Sequence, residues 1–210
     1  MMKIAIIGDS CMLYMPYIYN YLDILISNNI EYSIINWDRF HIKDNNDGFE
    51  YRDNKIGHRR NYFDYLKYSR FVIKKLNEKH YDKLIILGIP LAYFLKNYLR
   101  NYKYKYIIDI RDYHKLLKVV KIDRVIRYSS FTVISSPAYK TWLPKYNKYQ
   151  VNHNTRIYDM EDFEEPKNPL VDEKIIISNI GSIQDYDINI NFIEALKNSE
   201  KIELHFNGEG

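Results

Sequence analysis

Apolar residues in the first 150 positions gather in short unbroken runs, and between the runs they recur at helical spacing. The run at 3–7 (KIAII) ends on Gly8-Asp9-Ser10 and predicts a buried strand followed by a turn. Residues 14–27 predict a helix that sets Ile18, Leu22, Leu25 and Ile26 at helical spacing, and Asn28-Asn29 closes it. A second strand is predicted at 32–35. Residues 37–57 are rich in Asp, Asn and Gly and keep no period, which predicts a long loop or a hairpin. A long amphipathic helix follows at 61–79, carrying Phe63, Leu66, Phe71, Ile73 and Leu76 among basic residues. Next come a strand at 84–87, a helix opened by Gly88-Ile89-Pro90, and a strand at 104–110. A helix at 116–128, a strand at 131–134, a helix opened by Ser136-Pro137 and a strand at 149–151 complete the series.

Strands alternate with helices, and the strands are continuous apolar runs. That is the mark of a parallel sheet covered on both faces. The predicted fold class is α/β, a Rossmann-like doubly wound parallel sheet. Ligands of such sheets bind outside the carboxyl ends of the strands. Here those ends are Gly8-Asp9-Ser10, Gly88-Ile89-Pro90, Arg111-Asp112, Ser135-Ser136 and Asn152-His153-Asn154.

From 149 to 183 the pattern stops and starts again. An acidic stretch with Pro and Asn leads to a new apolar run at 175–177, which is closed by Gly181. A helix at 188–197 and a strand at 202–206 follow, and then Asn207-Gly208-Glu209-Gly210. This divides the chain into a first domain at 1–155, a linker at 156–172 and the start of a second α/β domain at 173–210, with a cleft expected between them. Two strands and one helix bury too little surface to form a core alone. The second domain is therefore expected to be incomplete and the chain inactive by itself.

Charge separates the two parts. Residues 1–150 hold 26 Lys+Arg and 14 Asp+Glu, a net +12, whereas residues 151–210 hold 5 and 13, a net −8. The basic part is either a solvated face or the seat of an anionic partner. The single cysteine, Cys11, excludes an internal disulfide framework and fits a reducing compartment. No apolar run approaches the roughly 20 residues that span a bilayer. The 22 tyrosines identify no function.

Several pieces of the chain stand in a familiar order. They are MKIAIIGDS at 2–10, Asp109-Ile110-Arg111-Asp112, Val133-Ile134-Ser135-Ser136, the turn at His153-Asn154, the strand 175–177 reaching Gly181, the helix 191–196 and Gly208-Glu209-Gly210. Together they resemble the GT-B glycosyltransferases of the family 4-like group. Three departures accompany the resemblance. Ser182 and Tyr186 stand where such proteins often carry an Arg and a Lys for the donor diphosphate. The glycine-rich loop after the first strand is reduced to Gly8, and the paired-glutamate donor motif would lie past Gly210.

The resemblance implies a nucleotide-sugar donor and a glycan or lipid-linked acceptor, in surface or capsular polysaccharide synthesis. It implies no metal, no cofactor and no nucleic acid partner. The location it suggests is cytoplasmic, with peripheral contact at the anionic inner membrane face. Asp112 and His114 are the candidate catalytic groups. Gly8, Asp9, Ser10, Arg59, Arg60 and Arg111 are assigned to the acceptor, and His153, Asn154, Gly181 and Ser182 to the donor. Simpler roles stand beside these. Arg111 either faces a phosphate or pairs with Asp109 or Asp112. Asp112 either meets the acceptor hydroxyl or caps a helix. His114 and Arg59-Arg60 are otherwise surface groups, and Asn154 otherwise holds a left-handed turn.

Two other classes remain. Gly8-Asp9-Ser10 is similar to the nucleophile block of GDS-type esterases, with Ser10 as nucleophile. The sole Asp-x-x-His, Asp38 to His41, comes too early in the chain for that class. A non-catalytic, membrane-peripheral relative of the transferases is suggested by Ser182 and Tyr186. No G-x-G-x-x-G follows the first strand, and no Cys/His cluster has metal-ligand spacing.

Overall fold

The computed structural model describes residues 2–42, 48–146, 148–153, 174–180 and 186–207. The chain divides into two compact units, Met1–Ile157 and Tyr158–Gly210. The first contains a seven-stranded sheet. Its strands are β1 (Lys3–Ile7), β2 (Glu31–Asp38), β3 (Phe49–Arg52), β4 (Lys83–Leu87), β5 (Tyr106–Ile110), β6 (Phe131–Ile134) and β7 (Tyr149–Val151). Their spatial order is β3-β2-β1-β4-β5-β6-β7, and every pair is parallel. The α/β doubly wound class is therefore the observed one.

Alternate residues of the central strands enter opposite cores, as the two-residue period requires. Ala5, Ile7, Ile35, Trp37, Leu84 and Ile86 face one side. There they meet the helices α2 (Tyr62–Glu78), α3 (Ile89–Phe94) and α4 (Asp123–Tyr128), through Tyr68, Val72, Leu91 and Val125 among others. Ile4, Ile6, Ile34, Ile85 and Leu87 face the other side, under α1 (Ile18–Ser27) with its Ile18, Leu22 and Leu25. α2 starts on a capping box. The Asn61 side chain accepts from the Asp64 N–H at 3.1 Å, and the Asp64 carboxylate accepts from the Asn61 N–H at 2.8 Å.

The structure departs from the sequence reading at five places. The loop expected at 37–57 contains β3, which pairs parallel to β2, so there is no hairpin. β2 itself runs on to Asp38 because Asn36 and Asp38 continue it as fully buried polar residues. The helix expected at 14–27 begins at Ile18, after a 3-10 turn at Met12–Tyr14 and Pro16, which has no N–H to donate. The helix expected at 116–128 is a 3-10 turn at Lys115–Lys118 followed by α4, interrupted at the β-branched pair Val119-Val120. The segment after Ser136 is likewise one 3-10 turn, Pro137–Thr141, with Pro144 soon after it.

The second unit pairs β8 (Ile175–Ile180) with β9 (Ile202–Asn207) in parallel, with α5 (Tyr186–Leu196) between them in sequence. No residue of α5 is buried, and Ile188 and Phe192 stay exposed.

Candidate functional site

All seven strands of the first unit point their carboxyl ends to one edge. The order reverses between β1 and β4, and in sheets of this class that is the point where the loops leaving two strands turn apart and ligands bind. Asp9 follows β1, and Gly88 follows β4. Gly88 adopts φ 101°, a conformation side-chain-bearing residues avoid, and its N–H donates to the Asp109 carbonyl at 2.8 Å. A Cβ at Gly88 would lie 3.8 Å from Asp9 Oδ2, so the glycine turn lies against that carboxylate. Gly8 sits tight under Met15, whose side chain fills the space a Gly8 Cβ would need.

Asp9 belongs to a small polar cluster. Arg39, the residue after β2, donates from Nη2 to Asp9 Oδ2 at 3.4 Å and to the Tyr65 hydroxyl at 3.0 Å. The Tyr65 hydroxyl donates to the same Asp9 oxygen at 3.4 Å. Arg39 is held from behind: its guanidinium lies 4.5 Å from the Trp37 ring centre, and Nη1 donates to the His58 carbonyl. The Arg39 side chain is 7% exposed and that of Asp9 is 23% exposed. Both contacts to Asp9 stand at the long limit of hydrogen bonding, so the carboxylate keeps capacity for a further donor on its open side. Burial and the Asp9 charge push the Tyr65 phenol up to about 12, which keeps it a neutral donor.

A second, tighter cluster sits at the end of β5. Arg111 Nη2 donates to Asp109 Oδ2 at 2.7 Å, and its Nε lies 2.6 Å from Oδ1. Tyr21 donates to Asp109 Oδ2 at 2.6 Å. Arg111 Nη1 donates to the Asn152 carbonyl at 2.7 Å, tying β5 to the exit of β7. Burial raises the Asp109 carboxyl above its ordinary range, while Arg111 and Tyr21 draw it back. Tyr17 stacks under the Arg111 guanidinium at 4.6 Å. Its phenol is raised first by burial and then by both Asp9 and Asp109, so it lies between the two clusters.

The other residues singled out in the sequence fall as follows. His114 is half-buried, and its Nδ1 accepts from the Leu116 N–H at 3.1 Å, which leaves Nε2 to carry the proton. It is therefore itself the cap of the 3-10 turn. Asp112 is exposed and caps no helix. Arg59 is exposed. The Arg60 side chain is fully buried: it pairs with Asp53 through Nε and Nη2, each at 3.0 Å, and donates to the carbonyls of Gly57, Arg59 and Lys55. Its guanidinium organises its own loop instead of facing solvent. Ser10 is 7% exposed, and its hydroxyl has no hydrogen-bond partner among the described residues. Of the Asp-x-x-His pair, Asp38 is held by Arg52 and His41 meets the Asp53 carbonyl. His153 is exposed beyond β7. Asn154, Gly181 and Ser182 lie outside the described residues. Among the described residues no group of three His, Cys, Asp or Glu could hold a metal ion, and no helix is long and apolar enough to cross a membrane.

The His114 environment yields a measurable sign. Burial lowers its pKa below the ordinary 6.5, Asp9 opposes that effect and Arg39 adds to it. Proton NMR titration should therefore place its midpoint below 6.5, and Asp9→Asn should lower it further. The folded state binds this proton less readily than the unfolded state does. The stability it contributes is thus present above 6.5 and lost as pH falls through the depressed value. A midpoint that rises in Asp9→Asn would refute the pairing.

Arg39, Tyr65, Tyr17 and Tyr21 were not among the sequence candidates. Arg39 follows a strand end and would have been found by that rule had β2 been carried through Asn36 to Asp38. Tyr21 and Tyr65 reach the site from helices and Tyr17 from the residue before α1, and nothing in a single sequence marks them.

No family model and no curated protein matches the chain in sequence. Solved structures do match it. MurG of Acinetobacter baumannii superposes with a TM-score of 0.60 at 12% identity, over 98% of this chain and 58% of that one. Sucrose-phosphate synthase of Thermosynechococcus elongatus gives 0.63 at 8% identity, over 100% and 71%. A UDP-N-acetylglucosamine 2-epimerase gives 0.53 at 10% identity, over 97% and 63%. The chain has a GT-B glycosyltransferase-type fold. At these identities the likeness is one of fold. The chain spans less than two thirds of the length of the MurG chain.

Proposed function

We propose that the chain is part of a glycosyltransferase that moves a sugar from a nucleotide-sugar donor to a glycan or lipid-linked acceptor in surface or capsular polysaccharide synthesis. The observation that carries the reading is Asp9, a part-exposed carboxylate at the point where the strand order reverses, backed by Arg39 and Gly88. An acceptor hydroxyl donating to Asp9 would lose its proton there as its oxygen bonds to the sugar C1 and the nucleoside diphosphate departs. His114, neutral and with Nε2–H to offer, would hold a second acceptor oxygen. Asp112 is too exposed to share that role, so Asp9 replaces it as the favoured catalytic carboxylate. Arg111, committed to Asp109, orders the site from behind. The donor falls to the second unit, near Gly181 and Ser182. A cytoplasmic location with peripheral contact at an anionic membrane face belongs to the same reading.

A panel of nucleotide sugars, offered to the whole protein of which this chain is proposed to be part, tests it, with binding followed by calorimetry and products by chromatography. Saturable binding of one member, with release of its nucleoside diphosphate, is the expected result. Failure of every member to bind would end the reading. Conversion of the sugar without loss of the nucleotide would replace transfer with epimerisation.

A further inference from the structure

The first unit carries a second basic site at the opposite edge of its sheet. Residues 96–148 hold 13 of the 26 Lys+Arg in the first 150 positions but only 3 of the 14 acids. Four of those cations, Lys96, Arg100, Lys121 and Arg124, surround one cavity of about 630 Å³. Its floor is apolar, formed by Leu99, Tyr106 and Val125, all buried, with Tyr128 beside them. Asp123 is the one acid in its wall. Among the described residues, Arg100, Lys121 and Arg124 pair with no carboxylate, and Lys96 rests 3.8 Å from the centre of the Tyr93 ring.

Position separates this cavity from the crevice at Asp9. Tyr106 is the first residue of β5, and Asp109–Arg111 lie at the other end. Four residues of strand put roughly 13 Å between them. Four cations against one acid make the wall net positive, which attracts an anion, and an apolar floor is best covered by an apolar body. The volume lies within the range of small-molecule sites, roughly 300–1,000 Å³.

We infer that this cavity binds a soluble organic phosphate, with its apolar or aromatic body on Leu99, Tyr106 and Val125 and its phosphate among Arg100, Lys121 and Arg124. Arginine forks suit phosphate oxygens, and long lysine stems cover the apolar wall while their ammonium groups reach outward. The site is independent of the sugar-transfer reading and would stand if that reading fell.

Phenyl phosphate, inorganic phosphate and vesicles of phosphatidylcholine with or without phosphatidylglycerol serve as probes of the whole 210-residue chain. Phenyl phosphate should bind saturably, more weakly as salt rises, and about tenfold or more tighter than inorganic phosphate, since burying its ring adds apolar contact. Combined Arg100→Glu and Arg124→Glu should weaken it about tenfold or more, the loss of at least one charge-assisted hydrogen bond. Combined Lys74→Glu and Lys140→Glu, which change net charge equally on exposed positions elsewhere, should leave it unchanged. Should the double reversal fail to fold, Arg124→Gln alone must still weaken binding. Equal affinity for both phosphates, an equal loss in the control pair, binding only to anionic vesicles, or no saturable binding would each overturn the inference.

Discussion

Arg111→Met should destabilise the chain by about 3–5 kcal/mol, measured as the shift in urea unfolding free energy. Arg111 and Asp109 are 4% and 0% exposed at the side chain, and they meet through two close contacts at 2.6 and 2.7 Å. Methionine matches much of the volume and removes the charge. Asp109 is then left as a carboxylate in the sheet interior with only the Tyr21 hydroxyl as donor. The Asn152 carbonyl also loses its donor, so the tie between β5 and the exit of β7 goes with it. A whole domain is worth only about 5–15 kcal/mol, so the effect is large. Arg111→Met with Asp109→Asn should recover part of the loss, because the amide does not carry the stranded charge. A loss below about 1 kcal/mol in the single variant would mean that the pair is solvated and idle.

Why that arginine could not be assigned in advance shows where sequence reading stops. The alternation of strands and helices was legible because β1, β4, β5 and β6 are apolar apart from Lys3, Lys83, Asp109 and Thr132, and such runs mark a parallel sheet. β2 was cut short because Asn36 and Asp38 are polar, although both are wholly buried. Asp38 is held in place by Arg52 and by the N–H groups of Phe40 and Ile42. Those partners come from β3 and from the turn after β2, so no local pattern announces them. β3 was lost for a related reason. It is a four-residue edge strand whose Phe49 and Tyr51 are only partly buried. The cations divide the same way. Arg59 and Arg60 are adjacent and identical in type, yet one is exposed and the other is enclosed by Asp53, four carbonyls and the Trp37 ring. Only the path of the loop distinguishes them. The strand-end rule nevertheless found Asp9, since that rule needs only a parallel sheet, and the parallel class was readable.

Asp9→Asn should slow sugar transfer about 100-fold or more once a donor and acceptor are identified, because the amide cannot accept the acceptor proton. The change is nearly isosteric, and Asp9 holds its neighbours only through two 3.4 Å contacts. Folding stability should therefore move by no more than about 1 kcal/mol, in contrast to Arg111→Met. Donor affinity should be unchanged, since Asp9 is proposed to meet the acceptor and is none of the proposed donor residues. Gly88→Ala gives a second approach to the same carboxylate. At φ 101° an alanine is strained, and the backbone shift that relieves the strain would move the turn that lies beside Asp9. That variant should lose both stability and transfer, whereas Asp9→Asn should lose transfer alone. Full activity in Asp9→Asn would remove the carboxylate from the chemistry and pass the role to another group.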